Sequence, residues 1–148
     1  MKSKIIRLSA FLLLLMPFNS YAQNFLHNIE TAKTVAQTDS KPILMIFSGS
    51  DWCKPCIQLK ENVISQQDFT AFAAENLVLL ELDFPYRRKN RLSKEQQAHN
   101  EKLAEQYNPK GQFPLMVLVN ADGSVIKEVD YNNQLTAKEY VRLIQPKI

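Results

Sequence analysis

The two cysteines of this chain, Cys53 and Cys56, lie three positions apart in the segment GSDWCKPC, next to its only tryptophan, Trp52. Two cysteines at this spacing are compatible with three kinds of site: a structural disulfide, half of a zinc site, or a redox pair that exchanges disulfides. Each kind of site requires different residues elsewhere in the chain, so the surrounding sequence discriminates among the three.

The first two kinds of site are poorly supported. A disulfide between Cys53 and Cys56 closes a very small loop, and the entropic stabilisation from a cross-link falls with loop size. Structural zinc takes four ligands, and the only histidines, His27 and His99, are far apart in the sequence and lack the spacing of a zinc-binding pair. Both interpretations stay open as the less favoured ones, and no metal site is predicted.

Redox chemistry accounts for the residue types around the pair. Cys53 is expected, partly exposed, at the N-terminus of a helix, where N–H groups and the helix dipole lower the pKa of a thiol. Lys54 adds a cation that stabilises the thiolate in the same way. Pro55 fits the first helical turn, where no N–H is needed, and Cys56 follows about one turn on, turned inward. Trp52 offers a flat apolar surface to a polypeptide substrate.

The hydrophobic pattern predicts the elements that position this pair. Residues 42–48 and 77–83 are nearly continuous apolar runs, as expected of strands buried on both faces. A right-handed crossover makes these two strands parallel, and a turn at residues 120–123 folds two further strands into an antiparallel hairpin. The sequence therefore predicts an α/β domain with a central four-stranded mixed sheet and helices on both faces. The predicted helices cover residues 25–37, 54–64, 66–75, 94–107 and 137–145, and the hairpin strands cover 114–120 and 124–130.

Residues 1–22 have the pattern of a secretory signal peptide. Three cations precede an apolar run, and Ser20 and Ala22 fit the −3 and −1 positions of a cleavage after Ala22. The run is shorter than the about 20 residues of a membrane-spanning helix, so we expect an exported domain, residues 23–148, without stable membrane insertion. Removal of the three cations leaves no net charge, and nothing in the composition indicates nucleic-acid binding.

These features together resemble the thioredoxin superfamily. The sequence Trp-Cys-Lys-Pro-Cys at residues 52–56 is similar to the family's Trp-Cys-x-Pro-Cys active site. Phe113 and Pro114 are similar to the loop whose cis-proline faces the cysteines and binds the substrate backbone. The segments FSGSDWC, LDFP and KLAEQYNPKGQFP are typical of exported, periplasmic members of Gram-negative bacteria. The resemblance extends over the chain from about residue 25.

The resemblance implies a thiol–disulfide oxidoreductase that acts on protein disulfides, most similar to the reductases. It implies that Cys53 is the attacking thiolate and that Cys56 resolves the mixed disulfide. An enzyme of this kind needs no metal or organic cofactor, because the Cys53–Cys56 disulfide carries the electrons. It also implies a monomer that a membrane or periplasmic electron donor reduces. The substrate-binding residues that it implies are Trp52, Lys54, Pro55, Phe113 and Pro114.

One departure from the family concerns the proton of Cys56. Thioredoxin carries a buried Asp on the strand before its active site, whereas residues 43–47 hold no acid here. Glu81, on the neighbouring predicted strand, and Glu61, on the active-site helix, are the candidate proton acceptors that remain.

Two questions stay open at the level of the sequence. The same cysteine pair suits a reductase, an isomerase or an oxidase, and a thioredoxin-fold adaptor or chaperone that binds peptides without turnover is the alternative function. The basic segment RRKNR, residues 87–91, is either a solvated loop or a docking surface for an acidic partner.

Overall fold

Residues 24–145, the part of the chain that the computed structural model describes, contain five strands and five α-helices. The predicted signal peptide, residues 1–22, lies outside the described residues. No helix within residues 24–145 is both long and apolar enough to cross a bilayer. The strands are β1 (Phe25–Leu26), β2 (Ile43–Ser48), β3 (Val78–Asp83), β4 (Leu115–Val119) and β5 (Val125–Asp130). The helices are α1 (Ile29–Asp39), α2 (Lys54–Leu59), α3 (Gln67–Asn76), α4 (Lys94–Tyr107) and α5 (Ala137–Ile144), with a 3₁₀ turn at Arg88–Asn90.

The strands form one mixed sheet in the order β1-β3-β2-β4-β5. β3 is parallel to both of its neighbours, β1 and β2, while β4 is antiparallel to β2 and to β5. The carboxyl ends of β2 and β3 therefore meet at one edge of the sheet, where the register pairs Ser48 with Asp83. The segment that carries the cysteines begins at this edge.

The apolar residues of β2 alternate between two hydrophobic cores. Leu44 and Ile46 pack with residues of α2, α3 and α5, whereas Ile43, Met45 and Phe47 pack with residues of α1 and α4. All five are at most 3% exposed, and full burial of such a side chain contributes about 1.5–3 kcal/mol. Helices thus cover both faces of the sheet, as the continuous apolar run predicts.

The sheet has five strands, so the prediction of a four-stranded sheet is wrong by one strand. Phe25 and Leu26, which the periodicity assigns to a helix, pair with β3 as a short edge strand. The helix begins only at Ile29, because the side chain of Asn28 caps it by accepting from two N–H groups of the first turn. Helical periodicity misses this strand, because two residues carry no period and their hydrogen-bonding partner lies far along the chain.

The helix predicted over residues 54–64 is α2 followed directly by a π-helical turn, Lys60–Ile64. Leu59, Val63 and Ile64 are buried in the core on one face of the sheet. This packing fixes the start of α2 relative to β2, and it thereby fixes the positions of the two cysteines.

Candidate active site

Cys53 caps the N-terminus of α2. Its backbone is extended, and its sulfur accepts a hydrogen bond from the N–H of Cys56 at 3.3 Å. The exposed Lys54 and Pro55 occupy the first two helical positions, and Pro55 has no N–H to offer. The N–H of Cys56 is thus the first-turn donor that points at the Cys53 sulfur. A donor in this position favours a negative charge on that sulfur once the pair is reduced.

The two cysteines form a disulfide with an S–S distance of 2.08 Å and a Cα–Cα distance of 5.2 Å. Gly49, directly after β2, binds both ends of this pair. Its carbonyl accepts from the N–H of Cys53 at 2.9 Å, and its N–H donates to the Cys56 sulfur at 3.4 Å. The disulfide is therefore attached to the end of β2 from both sides.

The predicted partial exposure of Cys53 is wrong for this disulfide form. Cys53 and Cys56 are each 4% exposed. The disulfide bond and the hydrogen bond from the Cys56 N–H hold the Cys53 sulfur against the first turn of α2. Partial exposure thus stays a prediction for the reduced form alone, and Cys56 is buried as the sequence predicts.

Three aromatic side chains form a cluster beside the disulfide. The Trp52 ring meets Phe113 edge to face with centroids 5.7 Å apart, and Phe84 meets Phe113 in the same way at 5.3 Å. The indole Nε1–H of Trp52 donates to the carbonyl of Phe84 at 2.7 Å while the residue stays 51% exposed. The indole is thus a fixed, solvent-facing apolar surface, and its contact with a substrate stays a prediction.

An open groove of about 710 Å³ runs between α2 and the loop that follows β5. Pro55, Phe113 and Pro114 line it, together with residues 130–133. The Phe113–Pro114 peptide bond is cis, as the sequence predicts, and Pro114 is buried while Phe113 is half-buried. Three of the predicted substrate-binding residues, Pro55, Phe113 and Pro114, therefore meet at one groove, whereas Trp52 and Lys54 do not line it.

A smaller cavity of about 150 Å³ reaches Cys56, and both candidate proton acceptors, Glu81 and Glu61, line it. The carboxylate of Glu81 lies 3.8 Å from Nζ of Lys60 and 3.9 Å from Nδ1 of His27, and its side chain is 21% exposed. Glu61 is exposed and forms no ion pair within residues 24–145. Glu81 is therefore the more enclosed of the two carboxylates beside Cys56.

The two histidines contact protein groups other than the cysteines. Nε2 of His99 accepts from the N–H of Ile29 at 3.0 Å, so Nδ1 carries the proton that it donates to Asn100 Oδ1 at 2.9 Å. His27 lies next to Glu81. Among residues 24–145, no group of three or more His, Cys, Asp or Glu side chains is arranged to hold a metal ion.

Sequence reasoning missed the polar residues that join the active-site loop to β3. The carboxylate of Asp83 accepts from the N–H of Ser50 at 2.9 Å and from its hydroxyl at 2.6 Å. The buried Asn100 of α4 donates to the carbonyl of Asp83 at 2.9 Å and accepts from the Gln96 side chain. The available signal was topological, because polar residues at the ends of two adjacent parallel strands lie at one edge of the sheet.

A family model described as thioredoxin-like matches residues 24–121, which is more than half of the chain. The chain is 33% identical over 116 residues to a Chlamydia pneumoniae protein named disulfide bond reductase DsbH; the match covers 78% of this chain but 63% of the relative, which is less than two thirds.

Two solved structures are similar over most of the described residues. A protein described as DsbH oxidoreductase has a TM-score of 0.76 at 30% identity, with 88% of this chain and 89% of that chain covered. A disulphide isomerase from Xylella fastidiosa Temecula1 has a TM-score of 0.59 at 20% identity, with 88% and 98% covered, and it supports the fold alone. From the cysteine pair, the mixed sheet and these matches together, the chain belongs to the thioredoxin-like family.

Proposed function

We propose that this chain is an exported thiol–disulfide oxidoreductase that reduces disulfide bonds in proteins through Cys53 and Cys56. One observation carries the proposal: the Cys53–Cys56 disulfide lies at the start of α2, with the Cys56 N–H donating to the Cys53 sulfur. A disulfide that closes so small a loop stabilises the fold little, so its placement favours redox exchange. The name of the Chlamydia pneumoniae relative supports the reducing direction.

The proposed reaction begins with the reduced pair. The Cys53 thiolate attacks one sulfur of the substrate disulfide, a Cys53–substrate bond forms, and the other substrate sulfur leaves as a thiolate. Cys56 then loses its proton and attacks the Cys53 sulfur, which releases the second substrate thiolate. The substrate gains two electrons from the cysteines and two protons, one that Cys56 releases and one from water. The Cys53–Cys56 disulfide forms, and a dithiol donor must reduce it again. The two cysteines carry both electrons.

The proposed substrate surface joins the aromatic cluster to the groove. An extended polypeptide that lies along Phe113 and Pro114 passes the disulfide and contacts the exposed indole of Trp52. Pro55 lines the same groove, and Lys54 is exposed beside Cys53. This arrangement positions a substrate sulfur beside Cys53, and proximity of the reacting atoms is a large part of catalysis.

We propose that Glu81 accepts the proton that Cys56 loses. Glu81→Gln should lower turnover at pH 7 by about tenfold to a hundredfold, the lower part of the range for general-base catalysis. The deficit should shrink as the pH rises towards about 8.5, where a free thiol ionises without help. The measurement is a pH profile of disulfide reduction from pH 6 to pH 9.

Glu61→Gln is the matched control, because Glu61 lines the same cavity but is exposed. It should remain within about twofold of the unmodified protein across the pH range. The partly exposed Lys60–Glu81 ion pair contributes about 0–1 kcal/mol of stability. If Glu81 had only this structural role, Glu81→Gln would lower activity equally at every pH and leave the shape of the pH profile unchanged. Equal profiles for both variants would argue against Glu81 as the base.

The proposed activity is tested by reduction of insulin with a small dithiol as electron source. The protein should accelerate precipitation of the insulin B chain, and Cys53→Ser should lose this acceleration. The reduction potential of the Cys53–Cys56 pair should lie nearer that of thioredoxin, about −270 mV, than that of the oxidant DsbA, about −120 mV. Peptide binding that persists without turnover in either direction would instead support an adaptor or chaperone.

The proposed location is the periplasm, with cleavage after Ala22 and a monomeric domain of residues 23–148. The sequence pattern of residues 1–22 supports export. The proposed partners are proteins with disulfides and a membrane or periplasmic donor of electrons. N-terminal sequencing of exported protein should give Gln23, whereas an intact Met1 would contradict export.

A further inference from the structure

The loop that contains the basic segment, residues 87–91, is attached to the active-site loop through Asp51. The carboxylate of Asp51 accepts from the N–H of Tyr86 at 2.8 Å, from the N–H of Arg87 at 3.0 Å and from the Asn90 amide at 2.8 Å. Desolvation raises the pKa of Asp51, but these three bonds, and to a lesser degree the charge of Arg87, bring that pKa below its ordinary value. Asp51 is therefore ionised at neutral pH and binds the loop as a carboxylate.

The attachment places the basic segment beside the cysteine pair. Asp51 is two residues from Cys53, a span of at most about 7 Å. The carbonyl of Phe84, at the start of the same loop, accepts the hydrogen bond from the Trp52 indole at 2.7 Å. The loop is thus connected to the residues just before Cys53 at two points.

The cations of the basic segment face solvent. Arg88, Lys89 and Arg91 are exposed, and within residues 24–145 no ion pair includes them. Tyr86, directly before the segment, is 82% exposed. The hydrogen bonds to Asp51 use two backbone N–H groups and the Asn90 amide, so the side chains of Arg88 and Lys89 are not needed to hold the loop.

We propose that the basic segment binds acidic residues next to the target cysteine of a polypeptide substrate, so that the protein prefers disulfides flanked by Asp or Glu. The inference rests on the proposed function, because it assigns a substrate class to that site. Three extended residues span about 10 Å, which is about one Debye length at 0.1 M salt. Acidic residues within three positions of the target cysteine are therefore close enough for attraction that salt screens only in part.

A polypeptide fits this surface better than a membrane does. The basic segment is bound to Asp51, two residues before Cys53, and Trp52 and Tyr86 both have exposed aromatic rings. A polypeptide can present a disulfide to Cys53 and acidic side chains to the basic segment at the same time, whereas an anionic membrane presents no disulfide. Attraction of this kind acts mainly on the rate of association and on the choice of partner.

The test uses three nine-residue peptides, each with one cysteine joined through a disulfide to a chromophoric arylthiol. The cysteine is flanked on both sides by Glu, by Gln or by Lys. Release of the arylthiol by the reduced protein gives kcat/KM, and at 20 mM salt the Glu peptide should exceed the Gln peptide by about tenfold. The preference should fall to about twofold or less at 500 mM salt, because salt screens exposed charges.

The decisive variant is Arg88→Gln/Lys89→Gln, which should reduce the Glu-over-Gln preference at low salt from about tenfold to about threefold or less. The matched control is Lys102→Gln/Lys138→Gln, which removes the same charge from exposed positions on α4 and α5. The control should keep the preference, because it changes the net charge without changing the basic segment. An equal loss of preference in both variants would overturn the proposal.

A second readout separates this proposal from the proposed function. Peptides with Ser in place of Cys cannot react, and their binding is measured by the fluorescence of Trp52, the only tryptophan. The unmodified protein should bind the Glu peptide more tightly than the Lys peptide. If the Arg88→Gln/Lys89→Gln variant loses this difference, the result supports the basic segment as the binding surface. No release of arylthiol from any peptide, with this binding intact, would overturn the oxidoreductase alone. Equal binding of the Glu and Lys peptides, or binding only to anionic phosphatidylglycerol vesicles, would overturn the basic segment as a polypeptide-docking surface.

Discussion

Cys56→Ser is expected to accumulate stable mixed disulfides with its substrates, and Cys53→Ser is expected to form almost none. The Cys53 sulfur accepts a hydrogen bond from the N–H of Cys56 at the start of α2, so the thiolate of Cys53 is the stabilised nucleophile. Without Cys56 nothing in the described site resolves the bond between Cys53 and the substrate. Turnover should fall by at least about a thousandfold in either variant, as expected when a covalent catalytic group is removed.

Non-reducing gels of extracts from cells that express each variant, followed by mass spectrometry of the captured proteins, measure this difference. The stability control is the reduced unmodified protein, because it and both variants lack the disulfide. All three forms lack whatever stability the cross-link provides, so they should unfold at similar denaturant concentrations. Capture by Cys53→Ser but not by Cys56→Ser would reverse the proposed roles of the two cysteines.

Gly49→Ala is expected to displace the Trp52 indole and to impair the site. A Cβ on Gly49 would lie 2.5 Å from Nε1 and 2.6 Å from Cζ2 of Trp52, which is closer than atoms can approach. The indole must then leave its hydrogen bond to Phe84. Forcing extra volume into a packed site costs about 1–3 kcal/mol, and turnover should fall by about tenfold or more, because the residues around the disulfide lose their positions.

A double-mutant cycle tests this mechanism. Trp52→Leu removes the indole, so Gly49→Ala should destabilise the Trp52→Leu protein much less than it destabilises the unmodified one. Urea denaturation gives the free energies of unfolding for the four proteins, and the emission of Trp52 reports the displacement directly. An unchanged emission spectrum together with additive free energies would contradict the close approach of Gly49 and Trp52.

The cysteine pair and its helix could be predicted from the sequence, because the signals are local. The spacing of Cys53 and Cys56, the apolar run before them and Pro55 after Cys53 all lie within about fifteen residues. Continuous apolar runs likewise indicated that β2 and β3 are buried on both faces. Phe113 and Pro114 required the resemblance to a known family, since nothing nearby in the sequence connects them to the cysteines.

The misses have two physical causes, and the first is pairing between residues far apart in the chain. β1 is too short to have a periodicity, and it exists because β3 supplies its hydrogen bonds. A sequence pattern contains the residue types of both strands, but it does not contain the distance between them. The second cause is local: the burial of Cys53 depends on the disulfide to Cys56, three residues on, which holds its sulfur against α2.

The amino-acid sequence by itself determined the chemistry available to this protein, because a thiol pair with this spacing at a helix start has few other uses. It left the basic segment, residues 87–91, undecided between a solvated loop and a docking surface. Only the tertiary structure placed that segment beside Cys53, through the hydrogen bonds of Asp51. It did so because β2 and β3 are parallel neighbours, so the loops that follow them leave the sheet at the same edge and their polar groups can bind each other.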